Sequence, residues 1–386
     1  MPRRIRVLNL ITQLVVGGAQ ESLFSALAFM DRQRYEIHIA SAPGGTWEQR
    51  ARSLCDKLHI IPHLRYVPFS PINDLLATAE LIALLRRERY DILHTRSSKA
   101  GFLGRLAARL IHVPVVVHHI HGLAFNDRTH SSVVRWLFII AERWAAKHCN
   151  KLIAVSRAMR TQALQAGIGS PEQLVVIYDP VDVRRFNHLP DKRVAKETLG
   201  IPPKAPAIGT VGRLSACNAP DVLVAIAEEL AMRRPDCCFV IAGDGEMRTK
   251  LEKAASKTNS FRLLGFQNDI PLVLSAMTIY VGTSLWGGLP RSVIEAMCAG
   301  LPVVAFPAAG VPEVLVDGVT GLQADMGSSK DVVEKVLFLL DHPEQAKALG
   351  EAARANVLPL VDPEKHAREL DALYERLMHN KTKIVQ

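Results

Sequence analysis

Long apolar runs and aromatic side chains are scarce in this chain. Aromatic residues make up 6% of its 386 residues. Even a long apolar run, residues 136–141, is far shorter than the roughly 20 residues that a helix needs to cross a bilayer. At the N-terminus basic residues precede an apolar stretch, but Asn9, Thr12 and Gln13 interrupt it. A first buried strand is therefore predicted there, and not a secretory signal.

Cysteine is also sparse. The six cysteines are scattered, with neither the spacing of a metal site nor that of a disulfide framework. They are Cys55, Cys149, Cys217, Cys237, Cys238 and Cys298. This usage predicts the reducing cytoplasm as the compartment.

Acidic residues are in deficit, but only in the first half of the chain. The whole chain has 47 basic and 38 acidic residues, a net charge of +9, and residues 1–180 hold 23 basic and 13 acidic residues. A basic half can serve an anionic acceptor, an anionic membrane surface or nucleic acid, or it can be a solvated face without a partner. Nucleic acid is not expected, because neither a recognition motif nor a basic stripe interleaved with aromatic residues appears.

Apolar strand-like runs alternate with amphipathic helical stretches, which predicts parallel sheets covered by helices. In the first half the predicted strands are 5–10, 37–40, 58–61, 92–94, 115–118, 152–155 and 174–177. The helices predicted among them include 22–30, 75–87, 99–110 and 133–148. In the second half the predicted strands are 208–211, 238–241, 262–264, 279–281 and 303–305.

Two successive series of this kind predict an α/β fold with two doubly wound, Rossmann-like domains that face each other across a cleft. Residues 1–188 are assigned to an N-terminal domain and residues 207–362 to a C-terminal domain. The segment 189–206 contains several prolines and is interpreted as a linker that holds a short helix. Helical periodicity returns over residues 363–378, within the C-terminal segment 363–386.

The segment 284–297, SLWGGLPRSVIEAM, predicts an anion site. Its turn residues are Gly287, Gly288, Leu289 and Pro290. A strand, a glycine turn and a helix N-terminus place backbone N–H groups and the positive end of the helix dipole around one point. A phosphate fits there, and the carboxylate of Glu295, in the following helix, can accept hydrogen bonds from sugar hydroxyls. An ordinary strand-to-helix turn is the alternative interpretation.

The same segment resembles the donor-site signature of the family 4 glycosyltransferases, retaining enzymes of the two-domain GT-B fold that use nucleotide sugars. In that family the positions of Gly287 and Glu295 are usually both glutamate, so one carboxylate is replaced here. The resemblance covers nearly the whole chain through the order of its motifs. It implies that the segment 363–386 packs back towards the N-terminal domain.

Further segments match the family in order and spacing. Gly17 and Gly18 follow the first strand and open a helix whose N-terminus can face a phosphate or a sugar. In the family, the arginine at Arg213 and a lysine at the position of Asn218 bind the donor diphosphate. A guanidinium forms paired, charge-assisted hydrogen bonds with a diphosphate, whereas asparagine neutralises no charge. Gly265 lies in the loop that the resemblance implies beside the nucleobase.

Three histidines lie within residues 117–122, VHHIHG. In the family a histidine followed by glycine lies near the reacting sugar, and His121 matches it. His118 and His119 are interpreted as structural residues. A metal is not expected, because no acidic or cysteine partner at suitable spacing accompanies the histidines and the family needs none. Arg96 stands where the family commonly has a histidine.

The resemblance implies retaining transfer of a sugar from a nucleoside-diphosphate sugar to a glycan or lipid-linked acceptor, without a cofactor, in cell-envelope polysaccharide synthesis. Arg213, the amides near Gly288 and the helix dipole would stabilise the leaving diphosphate. Glu295 would hold the ribose, and His121 would contact the transferred sugar.

Two questions stay open at this point. The replacements at Asn218 and Gly287 allow a second hypothesis, a weakened or inactive relative that binds a nucleotide sugar or a partner transferase. The basic first half predicts a cytoplasmic protein that contacts the inner face of the membrane, with the helix 133–148 as a candidate contact.

Overall fold

The chain divides into two compact units in the computed structural model, which describes residues 3–65, 67, 69–256 and 260–385. Unit 1 comprises Met1–Val181 and Asp362–Gln386, and unit 2 comprises Asp182–Val361. Unit 1 has 28 basic and 18 acidic residues, and unit 2 has 19 and 20, so the excess of positive charge belongs to unit 1. No helix in the described ranges combines the length and apolar character needed to span a membrane.

The sheet of unit 1 has seven parallel strands. They are β1 (Ile5–Leu10), β2 (Tyr35–Ser41), β3 (Lys57–Ile60), β4 (Ile92–Arg96), β5 (Val115–Ile120), β6 (Lys151–Ala154) and β7 (Leu174–Val176). Their order is β3-β2-β1-β4-β5-β6-β7, so it reverses between β1 and β4. All residues of β4 and β5 are buried, as expected for strands covered on both faces.

The helices of unit 1 cover this sheet. They are α1 (Gly18–Leu27), α2 (Glu48–Ser53), α3 (Pro71–Glu88), α4 (Ser98–Ile111), α5 (Ser132–Ala146), α6 (Arg157–Gln165) and, from the end of the chain, α15 (Pro363–Val385). Ser131 and Ser156 cap α5 and α6 by accepting hydrogen bonds from first-turn N–H groups. Both α3 and α5 pack against α4. Helix α15 packs on α1 and buries Leu370, Tyr374 and Leu377 in the core of the same unit.

The sheet of unit 2 has six parallel strands in an equivalent order. They are β8 (Ala207–Val211), β9 (Cys238–Ala242), β10 (Phe261–Gly265), β11 (Ile279–Gly282), β12 (Val303–Ala305) and β13 (Leu322–Gln323). The order is β10-β9-β8-β11-β12-β13, with the reversal between β8 and β11. The helices are α7 (Lys192–Thr198), α8 (Pro220–Arg233), α9 (Arg248–Ala255), α10 (Ile270–Ala276), α11 (Arg291–Cys298), α12 (Val311–Val314), α13 (Ser329–Asp341) and α14 (Pro343–Val357).

The predicted α/β fold with two doubly wound sheets is confirmed, and every predicted strand overlaps an observed one. The two-residue strand β13 was not predicted, because so short a strand leaves no apolar run in the sequence. The segment 189–206 differs from a simple linker. It belongs to unit 2, where α7 packs on α10 and buried Lys196 donates from Nζ to the carbonyl oxygens of Pro203, at 3.1 Å, and Ala205, at 2.7 Å.

Candidate functional site

A cavity opens in unit 2 where the strand order reverses between β8 and β11. Ligands of doubly wound sheets bind outside the carboxyl ends of the strands at such a point. The cavity has a volume of about 310 Å³, including the solvent at its mouth. Its walls are the loop after β8, the end of β11 and the first turn of α11. The lining includes Gly212, Arg213, Asn218, Tyr280, Ser284 and Ser292.

Asn218 joins the two loops that border this cavity. Its Nδ2 donates to the carbonyl oxygen of Arg213 at 2.8 Å, and its Oδ1 accepts from Ser284 Oγ at 2.7 Å. Its backbone carbonyl accepts a third bond from Thr283 Oγ1 at 2.7 Å. A lysine at this position could accept no hydrogen bond from Ser284, since its ammonium only donates. Asn218 therefore holds the two loops together.

Arg213 lies at the mouth of the cavity. Its guanidinium contacts the carboxylate of Glu246 at 3.2 Å, and the two side chains are 63% and 53% exposed. An ion pair this exposed contributes little to stability, typically about 0–1 kcal/mol. The pair with Glu246 therefore opposes the binding of an anionic ligand by Arg213 only slightly.

Gly287 forms the turn before α11 with a φ of +144°, a conformation that residues with side chains rarely adopt. A Cβ there would meet no atom within 4 Å, so the backbone conformation, and not crowding, favours glycine. The chain continues through Gly288, whose carbonyl accepts from the N–H of Gly310 at 2.9 Å. Leu289 and Pro290 follow, both half-buried, and α11 begins.

Glu295 lies in the second turn of α11 and is 6% exposed. Its Oε1 accepts from Arg291 Nε at 2.9 Å, a contact that orients the carboxylate. Pro290, at the N-cap, offers no side-chain acceptor to the first N–H groups of the helix. Because Ser292, in the first turn of α11, lines the cavity, these N–H groups and the positive end of the helix dipole lie beside the cavity wall.

Gly265 ends β10, with a φ of +67°, and its carbonyl accepts from the N–H of Gly243 at 2.8 Å. Gly243 follows β9, and a Cβ there would lie 1.8 Å from the carbonyl oxygen of Gly212. The backbone of the turn after β9 is thus in close contact with the loop that carries Arg213.

Gly17 and Gly18 mark the start of α1 in unit 1. Gly17 is extended, with a φ of 177° that any residue can adopt. A Cβ on Gly18 would meet no atom within 4 Å, and one on Gly17 would meet only the flexible side chain of Gln20. Local geometry therefore requires neither glycine, although both leave the N-terminus of α1 accessible to a ligand.

His121 belongs to a buried polar cluster at the ends of β4 and β5. Its Nδ1 lies 2.9 Å from Asp179 Oδ2, and Ser22 donates to Asp179 Oδ1 at 2.5 Å. Burial alone would raise the pKa of Asp179, but the attraction and hydrogen bond from His121, together with the bond from Ser22, lower it to about 2. The rings of His119 and His121 stack, with centroids 4.3 Å apart. His118 instead contacts Thr95 Oγ1 at 2.9 Å.

His119, His121 and Asp179 each offer one ligand atom, and these atoms lie within 4.8 Å of one another, as in a metal site. Sequence spacing could not reveal this carboxylate, because Asp179 lies 58 positions from His121. However, Arg96 contacts Nδ1 of His119 at 3.1 Å and Nε2 of His121 at 3.3 Å. Arginine only donates, so the nitrogens that face Asp179 carry the protons and have no lone pair for a metal.

Two family models together match most of this chain. The model described as Glycosyltransferase Family 4 matches residues 16–185, and that described as Glycosyl transferases group 1 matches residues 191–356. The UDP-Gal:alpha-D-GlcNAc-diphosphoundecaprenol alpha-1,3-galactosyltransferase of Escherichia coli is 31% identical, over 78% of this chain and 79% of its own length. The chain belongs to the family 4 glycosyltransferases.

Other similar proteins agree with this assignment. The 2-deoxystreptamine glucosyltransferase of Streptomyces kanamyceticus is 29% identical to this glycosyltransferase, over 72% of this chain and 75% of its own. The crystal structure of Anabaena HepE in complex with UDP-glucose matches with a TM-score of 0.84 at 22% identity, covering 97% of this chain and all of that one. That likeness shows the fold, which is GT-B.

The structure brings together some of the residues predicted for the donor site of this glycosyltransferase. Arg213 and Asn218 line one cavity, with the first turn of α11 beside them. Sequence reasoning missed Ser284, the partner of Asn218, and Asp179, the partner of His121. Neither has a local signal, because each contact joins residues that are far apart in the chain.

Acid should destabilise unit 1 of this glycosyltransferase below pH 6.5. Burial lowers the pKa of several of its histidines, to about 4 for His59 and His366. The others are His38, His94, His118 and His119. Each titrates near 6.5 when unfolded, so its contribution is complete above that pH and is lost as the pH falls through its lower folded-state pKa. At about pH 5, protonation of His59 or His366 alone would destabilise the fold by roughly 2 kcal/mol.

Thermal unfolding of the full chain between pH 7.5 and pH 5 measures this effect. The melting temperature should fall steadily, and His59→Gln should flatten part of the slope. His342→Gln, at an exposed histidine of unit 2, is the matched control and should leave the slope unchanged. A melting temperature that does not vary with pH would contradict the prediction.

Gly287→Ala should destabilise unit 2, because alanine must adopt the positive φ or move the turn. We expect a loss of about 1–3 kcal/mol, or roughly 2–4 °C in melting temperature for each kcal/mol. Gly18→Ala is the control, since its site is open and lies at a helix start. Equal melting temperatures for the two variants would show that the turn tolerates a side chain.

Proposed function

We propose that this glycosyltransferase moves a sugar from a nucleoside-diphosphate sugar to a glycan or lipid-linked acceptor, with retention, in cell-envelope polysaccharide synthesis. The cavity at the β8/β11 reversal carries the proposal, because Arg213 and the N-terminus of α11 border one space. A guanidinium and helix N–H groups both suit a diphosphate. The names of relatives support this chemistry: the Escherichia coli enzyme is named for UDP-Gal and a diphosphoundecaprenol acceptor, and HepE was crystallised with UDP-glucose.

Negative charge develops on the leaving diphosphate as the glycosidic bond breaks. In our proposal Arg213, the amides from Gly288 onwards and the dipole of α11 stabilise this charge. Glu295 accepts hydrogen bonds from the ribose, and His121 is the group of unit 1 that contacts the transferred sugar. The leaving phosphate takes the proton of the acceptor on the same face, so neither a separate base nor a cofactor is required.

Asn218 and Gly287 are the observations that favour a second candidate, an impaired relative that binds a nucleotide sugar or a partner transferase. Losing one preorganised contact with the transition state costs on the order of 3 kcal/mol. Both residues nevertheless fit their surroundings, Asn218 through its bonds to Arg213 and Ser284 and Gly287 through its φ. This fit favours a rearranged, working donor site.

Arg213→Ala should lower the rate of sugar transfer by about 100- to 1000-fold, because a preorganised cation is lost where charge develops. Transfer and hydrolysis are measured with a panel of nucleotide sugars, beginning with UDP-glucose and UDP-galactose. Arg248→Ala is the matched control, since Arg248 is also an exposed arginine of unit 2 with carboxylate partners, Asp244 and Glu252. It should transfer at the rate of the unmodified enzyme.

Calorimetric titration of the same panel separates the two candidates. Donor binding without transfer or hydrolysis would favour the impaired relative. Equal transfer by Arg213→Ala and the unmodified enzyme would contradict the proposed role of the guanidinium.

The finer part of the proposal is peripheral contact with an anionic membrane. Six apolar residues of unit 1, the α3–α5 surface, are each more than half exposed: Phe69, Ile72, Leu75, Val133, Trp136 and Leu137. Five of them belong to the starts of α3 and α5, and Phe69 lies just before α3. Both helices follow the carboxyl ends of parallel strands and flank α4. Apolar side chains beside an excess of basic residues suit an anionic lipid interface.

The charges of α5 agree with contact between this helix and an anionic membrane surface. The helix carries Arg135 and Arg143, and its one acidic residue, Glu142, pairs with buried Arg105 at 2.8 Å. The net charge that α5 presents is therefore positive, as a surface with anionic headgroups requires.

The protein should sediment with anionic vesicles at low salt and lose this binding near 1 M salt, where the screening length is about 3 Å. The double variant Trp136→Ser, Leu137→Ser should reduce the bound fraction severalfold. Met232→Ser removes an even more exposed apolar residue from unit 2 and should leave binding unchanged. Equal binding to neutral vesicles would refute the electrostatic part, and a double variant that binds normally would refute the α3–α5 surface.

A further inference from the structure

Arg96, the last residue of β4, is 1% exposed and lies among histidines. Its ring partners are His119, whose Nδ1 is 3.1 Å from the guanidinium, and His121, whose Nε2 is 3.3 Å away. A guanidinium stays protonated in proteins and has no acceptor. Each of these ring nitrogens must therefore be the acceptor, and each imidazole carries its proton on the other nitrogen.

Asp179 faces the opposite side of the same rings. Its Oδ2 lies 2.9 Å from Nδ1 of His121, and its Oδ1 lies 3.4 Å from Nε2 of His119. The contact with His119 is too poorly aligned to be a hydrogen bond, whereas that with His121 is a good one. A cation and a carboxylate thus hold His121 between them, with one lone pair directed at Arg96 and one N–H directed at Asp179.

We propose that Arg96 is a positioning residue for sugar transfer, which fixes His121 as the neutral tautomer with its proton on Nδ1. This inference rests on the proposed function, in which His121 contacts the transferred sugar. Arg96 acts through the imidazole and touches no substrate itself. A histidine at position 96, the residue common in the family, would bring no permanent charge to this place.

The surroundings of His121 determine what the loss of Arg96 would do. Among the described residues, the charged and titratable groups near it are Arg96 from β4, His118 and His119 from β5, Asp179 after β7, and His366 from α15. His94 of β4 stacks on His119 and contacts the hydroxyl of Tyr374. Arg96 is the permanent cation of this group, and Asp179 is its carboxylate.

Without Arg96, no permanent positive charge of the described residues near His121 offsets the negative charge of the Asp179 carboxylate. An opposite charge at hydrogen-bond distance favours the charged form of a histidine. His121 would then accept a second proton, on Nε2, and form an ion pair with Asp179. In the unmodified protein the guanidinium donates to Nε2 of His121, so the lone pair of that nitrogen is already occupied.

The experiment compares the full-length protein with Arg96→Met by long-range proton–nitrogen NMR of the imidazole rings, without substrate. The unmodified protein should show His121 as the Nδ1–H tautomer. In Arg96→Met, the pH at which His121 takes a second proton should rise by about 1–3 pH units. The pH below which kcat/KM declines, the acid limb of its pH profile, should rise by a similar amount. A signal lost in His121→Asn identifies the ring.

Two variants separate positioning from a general loss of packing. Arg105→Met removes another fully buried arginine of unit 1, one that bonds the carbonyl of Gly101 and the carboxylate of Glu142. It should leave the tautomer and acid limb unchanged. Arg96→Lys restores a cation and should return the acid limb towards its original pH.

An Nε2–H tautomer in the unmodified protein, or the same titration of His121 in Arg96→Met, would overturn the inference. A shift of equal size in Arg105→Met would also overturn it. The protein could show the expected tautomer and shift and yet transfer no sugar from any donor. That result would refute the proposed function but support the effect of Arg96 on His121.

Discussion

The strands of a parallel sheet all end at the same edge, and every candidate group in this protein depends on that constraint. In unit 2 it brings the loop after β8 against the end of β11, although Thr210 and Tyr280, which are in contact there, are 70 positions apart. In unit 1 it brings Arg96 and His121 to the ends of neighbouring strands. The reversal of strand order leaves room between such loops for a ligand.

The cavity at the β8/β11 reversal is held by one polar residue of its wall. Asn218 uses both ends of its amide and its backbone carbonyl to hold the two bordering loops. Gly287 likewise brings a backbone conformation that glutamate rarely adopts. Lysine at position 218 would remove the bond that the Asn218 amide oxygen accepts, and glutamate at position 287 would strain the turn. Both observations support our proposal of a rearranged, working site.

Burying the polar cluster around Arg96 costs free energy. A buried ion pair is often no more stabilising than apolar residues of similar volume, because both charges lose their hydration. Here the pair is separated by the rings of His119 and His121, and Arg96 Nε has no hydrogen-bond partner in the described residues. Packing in unit 1 is supplied elsewhere, by the apolar contacts of α1, α15 and the sheet. The proposed positioning of the His121 imidazole therefore explains the cluster better than a contribution to stability does.

The sequence by itself determined the fold class, because apolar runs of strand length alternate with amphipathic helices and parallel strands are buried on both faces. It also indicated the strand and helix ends that lie near Arg213, Gly287 and Glu295, since each has a local signature. Only the tertiary structure decided that Asp179 meets His121 and that Ser284 meets Asn218. Those contacts join residues brought together by sheet order, and no periodicity along the chain encodes which distant side chains will meet.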